Sequence, residues 1–164
     1  MIRAAIVTVS DSVANRTRED RSGAKLRERA EALGWHVAVQ EVVPDEMDRI
    51  ADVLRRLADS GQVSVILTTG GTGIALRDVT PEAARAAIQR EIPGLGELMR
   101  EEGRRHTPFA SLSRSLGGVR GKTLILILPG SPKGAVESLD AVAKLVPHIV
   151  DLIEGRTEHR DVPN

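Results

Sequence analysis

Val63-Ser64-Val65-Ile66-Leu67-Thr68-Thr69-Gly70-Gly71-Thr72-Gly73 runs without a break from a strand-forming stretch into a glycine loop. Val63–Thr69 is β-branched and nearly continuous in its apolar character, as a strand buried on both faces of a sheet must be. A helix follows over Thr80–Gln89, with Thr80 as N-cap and Pro81 at the favoured first helical position. Strand, loop and helix in that order are the building unit of an α/β domain.

The same unit recurs outward in both directions. Upstream, Ala4–Val9 and His36–Val43 read as strands, and Lys25–Leu33 as a helix stopped by Gly34. Glu46–Ala58 is also helical, placing Met47, Ile50, Val53, Leu54 and Leu57 on one stripe. Downstream, Gly94–Arg105 is helical and Lys122–Leu128 is a nearly all-apolar strand. Lys133–Glu154 continues as a long helical pattern, with a kink or split expected near Pro147. Ser111–Gly121 fits less well and suggests a small β excursion. The pattern predicts one α/β domain over residues 1–155 around a mostly parallel sheet, then a polar, frayed tail over 156–164.

Composition narrows the function. The 164 residues carry 23 Lys+Arg against 23 Asp+Glu, so no basic excess supports broad nucleic-acid or anionic-membrane binding. With Trp35 and Phe109 the only aromatics apart from histidine, a base-stacking platform is also unsupported. No cysteine is present, which rules out disulfides, thiolate ligands and cysteine nucleophiles. Met1–Val9 meets Asp11 too early for a signal peptide, and Leu124–Leu128 falls far short of the roughly 20 apolar residues of a membrane span. A soluble, cytoplasmic protein is expected.

In an open parallel sheet, ligands bind beyond the carboxyl ends of the strands. Four predicted strand ends carry polar or glycine-rich turns: Ser10-Asp11-Ser12, Pro44-Asp45-Glu46, Thr69–Gly73, and Pro129-Gly130-Ser131-Pro132-Lys133. The loop Thr69-Gly70-Gly71-Thr72-Gly73 lets backbone N–H groups approach an anion, although a tight structural turn would use the same residues. It is not a dinucleotide fingerprint, since Leu76 stands where a third glycine is required. Gly121-Lys122-Thr123 imitates the end of a P-loop, but Leu116 occupies the earlier glycine position and a strand follows instead of a helix.

Asp45 and Asp78 are the candidate metal-holding carboxylates. Magnesium on a nucleotide takes one or two protein carboxylates plus phosphate oxygens. Singly, each has an ordinary alternative: Asp45 as a helix N-cap, Asp78 as a surface-turn residue. Ser131 and Lys133 could contact a phosphate near a helix start, or simply form a proline-rich cap. Arg114 is a further candidate anion contact. His36, His106, His148 and His159 lack ligand spacing, so no zinc site is expected.

These segments together resemble the MogA/MoaB family. The resemblance rests on Thr68–Gly73 with Arg77-Asp78-Val79-Thr80-Pro81, on Val43-Pro44-Asp45, and on Pro129–Lys133. Ser10-Asp11-Ser12, Asp20-Arg21-Ser22-Gly23, Ile92–Arg100 and Leu112-Ser113-Arg114 add to it. It implies a three-layer α/β sandwich, usually trimeric, related to a domain of gephyrin. It also implies molybdopterin adenylyltransferase activity, which joins AMP from ATP with Mg²⁺ to the terminal phosphate of molybdopterin and releases pyrophosphate. A MoeA-like, molybdate-inserting partner would take the product. Asp45 and Asp78 match the family's essential aspartates. Ser10, Asp11, Thr69–Gly73, Pro129, Gly130, Ser131 and Lys133 match its nucleotide and pterin contacts. The alternatives are a MoaB-like paralogue and a noncatalytic pterin or nucleotide carrier or scaffold.

Overall fold

The computed structural model describes residues 1–156; residues 157–164, which include His159 and nearly all of the expected tail, lie outside the described part. The chain runs β1 (Arg3–Val9), α1 (Asp11–Ala14), α2 (Arg21–Ala32), β2 (His36–Val43), α3 (Met47–Asp59) and β3 (Val65–Thr69). It continues through α4 (Thr80–Ala87), β4 (Arg90–Glu91), α5 (Pro93–Arg104), a 3-10 turn (Pro108–Leu112) and β5 (Leu116–Arg120). The hairpin partner β6 (Thr123–Leu128) then leads into α6 (Pro132–Val142) and α7 (Val146–Ile153).

The six strands form one sheet in the order β2-β1-β3-β6-β5-β4. β2, β1, β3 and β6 are mutually parallel, whereas β5 and β4 run antiparallel at one side. Strand periodicity of two separates the core into two layers. Ala4, Ile6, Val65, Leu67, Leu124, Leu126 and Leu128 face α2, α5, α6 and α7, whose Leu26, Met99, Leu139 and Val146 join them. Ala5, Val7, Ile66, Ile125 and Ile127 face α3 and α4, meeting Ile50, Leu54, Leu57 and Ala84. The architecture is the expected three-layer α/β sandwich. On the predicted α3 stripe, Ile50, Val53, Leu54 and Leu57 are buried, but Met47 at the entry of the helix is exposed.

Several local expectations change. The β excursion is real but shorter: Pro108–Leu112 coils as a 3-10 turn, and only Leu116–Arg120 pairs. Gly121-Lys122-Thr123 is the tight connection of the β5–β6 hairpin, with Gly121 in the left-handed region at φ 54°. α2 begins at Arg21, ahead of the expected Lys25, because the Asp20 carboxylate accepts from Gly23 N at 2.9 Å and caps it. The final helical stretch does split, between Val142 and Val146. Thr80 is not the N-cap of α4: Val79 holds that position, and Thr80 lies fully buried inside the first turn.

Candidate functional site

Because β2, β1, β3 and β6 are parallel, Val43, Val9, Thr69 and Leu128 all end at one edge, and the four loops beyond them lie side by side. The glycine loop is clamped between its neighbours. Thr69 Oγ1 donates to Pro129 O at 2.7 Å, and Gly70 N to Leu128 O at 3.3 Å. Gly70 adopts φ 108°, and a methyl group there would fall 2.2 Å from Val9 O. From beneath, buried Thr80 Oγ1 donates to Gly70 O at 2.8 Å, while Thr80 N donates to Gly71 O at 3.1 Å. The threonine expected as a helix cap therefore fixes the loop instead.

Asp11 and Asp45 are tied reciprocally. Asp11 N donates to Asp45 Oδ2 at 2.9 Å, and Asp45 N to Asp11 Oδ1 at 3.0 Å. Asp45 is not an N-cap: the cap position of α3 is Glu46, which makes no side-chain capping bond. Arg77 reaches 66 residues back to Asp11 Oδ2, with Nε at 3.1 Å and Nη2 closer. Its hydrogen bond, with the backbone bond from Asp45, holds the Asp11 carboxyl below its ordinary pKa, and the arginine's own pKa rises in return. Asp45 shifts the other way. Burial is the largest cause, and the neighbouring charges of Asp11 and Asp78 add to it, against the Asp11 backbone bond and Arg77.

Asp78 sits on the turn that closes the glycine loop. Its Oδ2 accepts from Ala75 N at 3.0 Å, and it would lie 2.8 Å from a methyl group on Gly73. Likewise, Asp45 Oδ1 would lie 3.2 Å from a methyl group on Gly71. Both carboxyl groups thus border the same loop, each with one oxygen anchored by a backbone amide. The other oxygen, Oδ1 in each case, has no donor among the described residues. Partly buried carboxylates with mutually unfavourable charge and a free oxygen apiece suit a divalent cation. Among the described residues no cluster of three or more His, Asp or Glu forms a complete protein cage. Such an ion would need oxygens from substrate.

The remaining candidates divide. Arg114 does not stand free for an anion: Nε donates to Gly73 O at 2.8 Å, Nη2 to Asp78 O at 2.6 Å, and Nη1 pairs with Glu82. It is a brace for the loop. Ser10 accepts from Val13 N at 3.3 Å and lies 3.1 Å from Ser12 Oγ. Ser131 Oγ caps α6 by accepting from Gly134 N at 3.1 Å. Lys133 is 81% exposed, with only Glu137 nearby at 3.8 Å. Two hollows flank the glycine loop. One of about 130 Å³ involves Thr8, Ser10, Asp20, Thr69, Gly70 and Gly130. The other, of about 490 Å³, is walled by Thr72, Gly73, Ile74, Phe109, Leu112 and Ser131. Arg77 and Thr80 carry no local signal of their place in the site, because the partner of one, Asp11, is distant in sequence and that of the other, Gly70 O, is a backbone atom.

Residues 5–148 match the family model described as "Probable molybdopterin binding domain". The molybdopterin adenylyltransferase of Helicobacter pylori (strain J99) is 42% identical over 159 residues, covering 94% of this chain and 89% of that protein. The crystal structure of the molybdopterin biosynthesis enzyme MoaB from Thermus thermophilus superimposes with a TM-score of 0.89 at 52% identity, covering 94% of this chain and 98% of that one. A MogA structure gives a TM-score of 0.87 at 36% identity, covering 92% and 99%. The chain belongs to the MogA/MoaB family of molybdenum cofactor biosynthesis.

Proposed function

We propose that this chain is a molybdopterin adenylyltransferase, with ATP and molybdopterin meeting at the glycine loop. The observation that carries this is the convergence of Asp45 and Asp78 on that loop, each with a free oxygen. In the proposed reaction an oxygen of the terminal molybdopterin phosphate attacks the α-phosphorus of ATP. The bond from the α-phosphorus to the oxygen bridging to the β-phosphorus breaks, and pyrophosphate leaves with the electron pair.

The nucleophile is already anionic, so no serine, cysteine or histidine activation is needed. The barrier comes from bringing two anions together and from charge on the α-phosphate. Asp45 and Asp78 are the carboxylates that would hold the magnesium of Mg-ATP, which would lower that charge repulsion. The protein's own work is positioning. Amides of the loop approach the phosphates where glycine leaves room, and Thr80 and Arg114 keep the loop from yielding. We assign Ser10, Asp11, Thr69–Gly73, Pro129, Gly130, Ser131 and Lys133 to the nucleotide and pterin contacts. Lys133, 3.8 Å from Glu137 at the start of α6, reaches a phosphate only on rearranging.

A cytoplasmic homotrimer that passes its product to a MoeA-like enzyme completes the assignment. No helix among the described residues is long and apolar enough to cross a membrane. Pyrophosphate release from Mg-ATP on adding molybdopterin is the expected result. A MoaB-like paralogue is the competing assignment, favoured by the 52% identity to the Thermus MoaB against 36% to the MogA structure. Tight pterin binding with no pyrophosphate release would favour a carrier and end the catalytic assignment.

A further inference from the structure

A third hollow, of about 670 Å³, opens at the β2 end of the same strand edge and shares Asp11 with the candidate site. Arg16 and Arg49 stand on its walls, and among the described residues neither guanidinium has a hydrogen-bond or ion-pair partner. Arg16 is the single non-glycine residue with positive φ among the described residues, at 62°. Such a conformation costs energy unless its surroundings impose it. Here they do: Arg16 N donates to Val13 O at 3.1 Å, Thr17 N to Ser12 O at 2.9 Å, and Arg18 N to Ser12 O at 3.2 Å. Arg49 comes from the first turn of α3, a 13-residue helix whose N-terminus has no side-chain cap. A helix N-terminus with spare amides and an adjacent free arginine favours an anion. The carboxylates on the walls are Asp11 and Glu46. Asp11 is already paired with Arg77, which leaves Glu46 as the one uncommitted wall carboxylate beside the two uncommitted guanidinium groups.

We propose that Arg16 and Arg49 form the site that receives the pyrophosphate end of the nucleotide, as positioning groups for the departing β- and γ-phosphates. The inference rests on the adenylyl-transfer assignment above. That reaction has three parts to seat: adenosine, the pterin phosphate, and pyrophosphate. In-line displacement requires the leaving group to depart away from the attacking one. The hollow of about 490 Å³ has an apolar wall with Ile74, Phe109 and Leu112, suited to a ring system rather than to bare phosphate. The small hollow of about 130 Å³ also carries arginines, Arg18 and Arg21, but Glu19 and Asp20 stand beside them. The third hollow is roomier and both its arginines are uncommitted, whereas in the small hollow Arg21 lies 4.0 Å from Glu19 and, among the described residues, only Arg18 is uncommitted.

The test is inhibition by magnesium pyrophosphate against ATP, with AMP as comparator, in Arg16→Gln, Arg49→Gln and Arg18→Gln. Both Arg16→Gln and Arg49→Gln should raise the inhibition constant for pyrophosphate about tenfold, as expected for losing one charged phosphate contact. The constant for AMP and the Tm should stay put, and Arg49→Lys should recover part of the loss. Unchanged pyrophosphate inhibition in both variants overturns the proposal. So does equal weakening toward AMP, or a loss confined to Arg18→Gln, which would move the leaving group to the small hollow. Calorimetric titration with magnesium pyrophosphate reads the site without turnover. Arginine-dependent binding in an enzyme that never releases pyrophosphate would sink adenylyl transfer and keep the anion site. Turnover with arginine-independent binding would do the reverse.

Discussion

The two edges of the parallel sheet treat polar side chains in opposite ways. At the edge where the strands begin, side chains are turned back on the protein. Ser64 Oγ accepts from Arg3 N at 3.1 Å, and buried Thr123 Oγ1 donates to Val63 O at 3.1 Å and Ala58 O at 3.3 Å. Arg120 grips Asp59 with two bonds of 2.9 Å. At the edge where the strands end, Asp45 and Asp78 each keep an oxygen without a protein donor, and Arg16 and Arg49 have no partner among the described residues. One edge spends its polarity on stability; the other, though braced by Thr80 and Arg114, holds part of it in reserve, where an open sheet binds ligands. Substitutions at the two edges should therefore separate turnover from stability.

The largest expected effect is Asp78→Asn. The amide retains an oxygen to accept from Ala75 N, so the turn persists and only the charge is lost. Turnover should fall on the order of 100- to 1,000-fold, with much less change in molybdopterin affinity, because charge placement matters most in the transition state. Unchanged turnover would remove Asp78 from the mechanism. Next comes Gly73→Ala. Its methyl group would arrive 2.8 Å from Asp78 Oδ2, the end of a side chain that can rotate away. Turnover should drop about tenfold with a nearly constant Tm, since a roughly 1 Å displacement at a reacting centre is costly while the fold can absorb it. Thr123→Val probes the opposite edge. It leaves the carbonyls of Ala58 and Val63 without that hydroxyl and should cost about 1 kcal/mol, or roughly 2–4 °C in Tm. The kcat/KM should not move; if it does, the edges are coupled.

Much of this division was legible in the chain. Strand positions follow from β-branched and aliphatic runs, and four parallel strands necessarily deliver their trailing loops to one edge, so the chain itself puts Asp45 beside the glycine loop. Local rules failed where a distant partner outcompeted them. Thr80 has the composition of an N-cap, but burial and a bond to Gly70 O carry it inside the helix. Arg114 suggests an anion contact by charge alone, yet loop carbonyls of Gly73 and Asp78 occupy its donors. The Arg77–Asp11 pair spans 66 residues, and no periodicity encodes it. Helix α1 is only four residues long, too short to show an apolar stripe.

The smallest effect is the most discriminating, because its sign opposes ordinary intuition about removing a charge from a hydrogen-bonded network. Asp45 has a folded-state pKa above the ordinary value of 3.8, chiefly through burial and secondarily through Asp11 and Asp78. The folded state therefore binds that proton more tightly than the unfolded chain. The associated stability is present below the unfolded value and is lost as pH rises through the folded one. At neutral pH the ionised carboxylate is a liability to the free protein. Asp45→Asn keeps an oxygen to accept from Asp11 N while removing the charge. Thermal melts should show a higher Tm at neutral pH, with the gain shrinking as the pH falls. The same variant should lose turnover as Asp78→Asn does. A lower Tm at neutral pH would instead make Asp45 a structural anchor for the Asp11 turn. A rise in Tm joined to a loss of turnover is what a site held under electrostatic strain for a cation must give.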